Sequence, residues 1–166
     1  MFCLSNIYDH DWFVPSVLLA GEVGDKMSMM LKISAESGYL HVIATGKFSL
    51  AEAKRTFIEM LEAVARTKVG KVLFDGRGLA GTPEFMERFY YGKFAGETVT
   101  QFGARGVSPA TEFAYVLEVP MRDPKRFGEN VARNWGMRVT TFDNLNDALG
   151  WLGIVPANNP DAGDGK

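Results

Sequence analysis

Gly76, Gly78 and Gly81 in the stretch LFDGRGLAGTPEFMER, residues 73–88, have the spacing G-x-G-x-x-G, directly after an apolar run and directly before a helical pattern. Glycines in that order can bring backbone amides and a helix N-terminus against a pyrophosphate, the chemistry of a dinucleotide site. The surrounding residues oppose it. In the dinucleotide fingerprint the third glycine lies in the first helical turn, whereas Thr82 reads as an N-cap and Pro83 as a first-turn proline, which start the helix after Gly81. The fingerprint also needs an acid about 20 positions on, at the end of the next strand. Here the next strand starts near Glu112, and Glu97 has the spacing in the wrong setting. Asp75 adds a negative charge beside the supposed phosphate site, offset only by Arg77. The residues favour a turn that uses glycine's positive φ, and a nucleotide-binding protein ranks third among the functional readings.

Other reactive side chains form no recognisable machinery. The single cysteine, Cys3, precedes the periodic part of the chain, no G-x-S-x-G elbow occurs, and neither His10 nor His41 stands in a pattern with a nucleophile and a carboxylate. His41 reads as a partly exposed strand residue, and Glu84 and Glu87 read as a solvated helix face. One cysteine and two histidines give no metal-ligand set, so neither metal nor cofactor is expected, and the chain reads as a non-enzyme. A lone cysteine also fits a reducing compartment, which makes the cytoplasm the expected location. With a formal net charge of -2 there is no basic footprint for nucleic acid.

The elements that must position these residues alternate along the chain. Leu31, Ile33 and Ala35 alternate with polar neighbours, and Ser37-Gly38 turns the chain into YLHVIATG, an antiparallel hairpin. Ser49 and Glu52 form a capping box before a helix with a stripe of Phe57, Leu61, Val64 and Ala65. KVLFD is the next strand and is followed by the helix after Pro83; EFAYVLEV is a buried strand. Asp123-Pro124 starts a third helix that Gly136 ends, MRVTTF is the last strand, and a final helix begins near Asn144 with Leu145, Ala148, Leu149 and Leu152 inward. The order is that of an α/β domain: a mostly parallel sheet with an N-terminal β-hairpin and four helices. The domain is placed at residues 29–153. Residues 1–28 read as an N-terminal extension, since Met27, Met29 and Met30 are all natural starts and the apolar run Trp12 to Ala20 is too short to span a bilayer. Residues 154–166, with PANNPDAGDGK, read as a disordered tail.

Two segments carry a family resemblance. VLFDGRGLAGTPEFMERF is similar to the strand, D-x-R/S-G turn and second helix of the STAS family, the fold of sporulation anti-sigma-factor antagonists. FGENVARNWGMRVTTFDNLNDALGWL resembles the ending of the uncharacterised bacterial proteins described as SpoIIAA-like or STAS/SEC14. The similarity spans most of Met29 to Leu152. It implies a STAS-like regulatory or protein-interaction module that binds through the turn 75–82 and the second helix. In regulatory members a serine at the start of that helix is phosphorylated by a partner kinase. Here only Thr82 offers a hydroxyl, without the D-S motif, so Thr82 is the phosphorylation candidate, and a cap role already explains it.

The second helix holds more aromatics than one core face needs. At about 100° per residue from Phe85, the apolar arc runs from Phe89 near 40° through Met86 and Tyr90 to Phe94 and Tyr91 near 240°. Phe85 and Phe89 are expected to face the sheet and Tyr91 to be among the least buried. The surplus must meet the following loop, the N-terminal segment, a second subunit, a partner protein or an apolar ligand. The candidate binding residues are therefore Asp75, Arg77, Thr82, Phe85, Arg88 and Tyr91. The function expected first is a protein partner or self-association, and the alternative is a carrier or sensor of an apolar small molecule or lipid.

Overall fold

A computed structural model describes residues 28–155. Cys3, His10, the apolar run at 12–20 and the tail from residue 156 lie outside the described residues. The elements are β1 (Met30–Glu36), β2 (Tyr39–Lys47), α1 (Leu50–Thr67), β3 (Lys71–Ala80), α2 (Phe85–Phe102), β4 (Glu112–Val116), α3 (Phe127–Asn134), β5 (Arg138–Phe142) and α4 (Leu145–Trp151), with a short 3-10 turn at Gly103–Arg105. The five strands lie in sequence order, β1 antiparallel to β2 and every later pair parallel.

Strand alternation divides the core in two. Val42, Phe74, Phe113, Tyr115 and Val139 face a layer made by Phe57 of α1, Ala95 and Val99 of α2, and Ala132 of α3. Crossovers of one hand between sequential strands put all three helices on that side. The intervening residues Leu73, Ala114 and Val116 meet Ala148 of α4 and Leu152 just after it on the opposite side. Local signals start the helices as expected at two ends: Ser49 accepts from the Glu52 amide at 3.3 Å and Asn144 from the Asp147 amide at 2.9 Å.

Three expectations are corrected. First, the glycine-rich stretch is strand rather than turn as far as Ala80, because Gly78 pairs opposite Thr45 and Ala80 opposite Lys47 after an irregularity between Ile43 and Thr45. The first two glycines serve space. A Cβ on Gly76 would come within 2.5 Å of the Leu117 side chain and one on Gly78 within 2.7 Å of Thr45; only Gly81, at φ +111°, needs glycine's left-handed backbone. Gly76 and Arg77 fall in that irregularity, and the Arg77 amide donates to the Asp75 carboxylate at 3.2 Å, a negative charge that opposes a phosphate here. Second, α2 starts two residues later than Pro83. Its cap is Glu84, which exchanges a capping box with Glu87, and Thr82 is exposed with no capping role. Likewise α3 starts at Phe127, although Asp123 still accepts from its first amide at 3.0 Å.

Third, the inward face of α2 is not the one that carries Phe85 and Phe89. Gly92, Ala95, Gly96, Thr98, Val99 and Phe102 are buried, while Phe85 is 63% exposed and Met86 and Tyr90 are exposed; Tyr91 is inside. The reason is α3. A Cβ on Gly92 would stand 2.5 Å from the Gly128 carbonyl oxygen, and one on Gly96 2.8 Å from that of Ala132. The two helices approach almost backbone to backbone, a contact open only to the small-residue side.

Candidate functional site

At the carboxyl ends of the parallel strands the helix layer leaves a cavity of about 130 Å³. Open α/β sheets bind ligands at this end, where the chain leaves each strand and the loops diverge. Its wall is apolar: Phe57 and Ala95 from the helices, Phe74, Leu79 and Val139 from the sheet, Met29 from the approach to β1. Phe57 meets Tyr91 edge-on with centroids 6.0 Å apart, and Phe74 stacks on Tyr115 at 4.4 Å. The hydroxyls of Tyr91 and Tyr115 lie 3.4 Å from each other. Burial pushes the Tyr91 hydroxyl up to about 12 and that of Tyr115 well above its ordinary value, so both remain protonated at neutral pH.

Charged groups at the rim are engaged. Arg88 donates to the Met121 and Pro120 carbonyls at 2.8 and 2.9 Å, tying α2 to the loop before α3. Burial opposes ionisation of Asp123, yet the amides of Lys125 and Phe127 outweigh it and hold the carboxyl below its ordinary value. Glu129, with its side chain almost wholly enclosed, accepts from the amide and hydroxyl of Thr141 at 3.0 and 2.7 Å and lies 3.5 Å from Arg133 and 3.7 Å from Arg126. That carboxylate pins α3 to β5.

The candidate residues therefore divide. Asp75 and Arg77 follow Leu73 on the α4 side of β3, away from the cavity. Arg77 grips the carboxylate at two points, 2.9 and 2.7 Å, and this pairing holds Asp75 below its ordinary value. Arg88 and Tyr91 line the cavity. Thr82 is exposed on the connection, and Phe85 lies outside the cavity, stacked on Phe127 with centroids 4.3 Å apart. Phe89 flanks the same ring at 6.4 Å. Sequence reasoning missed Tyr115, Glu129 and Phe127. The alternation in EFAYV could have paired Phe113 with Tyr115 on one face; nothing local marks the other two.

Among the described residues no group of three His, Cys, Asp or Glu could hold a metal ion. No described helix is long and apolar enough to cross a membrane. No family model matches the chain, and no curated protein matches it. Solved structures do. An anti-sigma factor antagonist from Mycobacterium paratuberculosis superposes with a TM-score of 0.50 at 13% identity, covering 76% of this chain and 95% of that one. An uncharacterised DUF3478-family protein with a SpoIIAA-like fold from Shewanella loihica matches with a TM-score of 0.45 at 17% identity, over 80% of this chain and 99% of that one. At such identity the likeness speaks for architecture alone: the chain, a mostly parallel five-stranded sheet with an N-terminal hairpin and four helices, has the fold of the anti-sigma factor antagonist.

Proposed function

We propose that the protein is a non-enzymatic regulatory module that docks a protein partner on the end of the molecule where α2 and α3 begin. One observation carries this reading: a stack of Phe85 on Phe127 with Phe85 63% exposed and Met86 and Tyr90 beside it in solvent. Contiguous exposed aromatics mark contact surfaces, and such rings dominate binding energy when a partner buries them. The acids of this end are occupied, Glu84 and Glu87 with each other's amides and Asp123 with the start of α3, whereas Lys125 stands exposed beside the rings and Arg126, also exposed, lies against Glu129. An apolar partner side chain flanked by carboxylates suits that arrangement. Likeness to an anti-sigma factor antagonist supports a binding role over a catalytic one. The residues Asp75 and Arg77 no longer belong to the proposed face, and Thr82 lies at its margin.

A second reading, a carrier or sensor of a small apolar molecule, is favoured by the cavity beneath the same helix. Native mass spectrometry of the protein purified from its own host distinguishes them. A co-purified chain of fixed stoichiometry is expected; a chain carrying only a small bound mass would contradict the docking reading and favour the carrier.

A further inference from the structure

Two tyrosine hydroxyls share the cavity, and their hydrogen-bond count does not close. Each O–H is one donor, so the pair holds two, and the contact at 3.4 Å uses at most one of them. That separation is long beside the usual ~2.7–2.8 Å between hydroxyl oxygens. Among the described residues neither hydroxyl has another partner. A buried donor left unmade is costly, and native interiors supply such donors with an acceptor. The rings packed on them, Phe57 and Phe74, supply no oxygen or nitrogen acceptor, and the carboxylates in the cavity lining, Asp123 and Glu129, bond other partners and neither hydroxyl.

The cavity also restricts charge and size. Arg88 is committed to two backbone carbonyls and Arg126 lies against Glu129, while Asp123 and Glu129 add negative charge to the lining, so a carboxylate ligand gains no free cation. At about 130 Å³ the space is close to the ~150 Å³ apolar cavity that holds benzene.

We propose that the cavity takes a small uncharged apolar ring bearing one hydrogen-bond acceptor, such as a ketone oxygen, with the acceptor on the Tyr91–Tyr115 hydroxyl pair and the ring between Phe57 and Phe74. This rests on the small-molecule reading of the cavity and is independent of the docking face.

The test titrates cyclohexanone and toluene into the full chain and follows the amide and methyl resonances of the cavity residues. Both probes are expected to bind. Changing Tyr91→Phe and Tyr115→Phe together is expected to weaken cyclohexanone about three- to tenfold, the worth of one hydrogen bond, and to leave toluene unchanged. Equal effects on the two probes, or none on either, would overturn the acceptor assignment while the cavity reading stands. Failure of both probes to bind the unaltered protein at millimolar concentration would overturn the cavity reading as well. Should the double variant not fold, the single variants carry the same test: at least one must weaken cyclohexanone alone.

Discussion

Gly96→Ala is expected to destabilise the domain by about 2 kcal/mol or more, although alanine is the better helix former. In an open helix the change would gain up to about 1 kcal/mol. Here the new methyl would meet the Ala132 carbonyl oxygen at 2.8 Å and the Trp135 backbone at 2.9 Å, with the Trp135 Cβ closer still. Backbone atoms cannot rotate away as a side-chain end can, so the two helices must part, at an overpacking cost of roughly 1–3 kcal/mol or beyond. A leucine at the same position is expected to prevent folding. Gly150, in α4, has nothing within 4 Å of its virtual Cβ, and Gly150→Ala is expected to raise stability by a few tenths to about 1 kcal/mol. Urea midpoints at unchanged slope measure both. Equal shifts for the two variants would show that α2 and α3 do not meet as described.

Among truncations the largest loss is expected from Phe113→Ala, about 3–5 kcal/mol. Phe113 is fully buried in β4, flanked by β3 and β5, with its ring 6.5 Å from that of Phe57. Truncation leaves a void that strands paired on both sides cannot collapse to fill. The thermal midpoint should fall on the order of 10–20 °C. Tyr90→Ala, on the exposed side of α2, should cost under about 1 kcal/mol. A Phe113→Ala loss no greater than that of Tyr90→Ala would contradict the placement of the core.

Much of this architecture was legible because local rules and tertiary structure agree. The alternation of Leu31 and Ile33, the caps at Ser49 and Asn144 and the glycine after Trp135 each say locally what the fold requires. The glycine-rich stretch was misread because its strand character comes from pairing with Thr45 and Lys47, some thirty residues away, which no local pattern displays. The face of α2 was misread for a related reason. Aromatic side chains bury the most area per residue, but a helix pressed backbone to backbone on its neighbour must turn its smallest residues inward, and the partner glycine, Gly128, is remote in sequence. The cavity was illegible in principle, since Met29, Tyr91, Tyr115 and Glu129 converge only in the folded chain. What survives from the sequence is that α2 holds more aromatic surface than the core uses; what changes is which rings are left over.

Capture from host extract with three immobilised forms, the unaltered protein, Phe85→Ser and Trp151→Ser, tests the docking face most directly. Phe85 is exposed, so Phe85→Ser should leave the thermal midpoint nearly unchanged, while Trp151, across the sheet on α4 with its ring 5.9 Å from that of Phe142, should keep the fold at some cost in midpoint. The account predicts one chain that is retained by the unaltered protein and by Trp151→Ser and lost from Phe85→Ser, because a central aromatic anchor dominates such interfaces. Undiminished retention of that chain by Phe85→Ser, or its equal loss from Trp151→Ser, would contradict it.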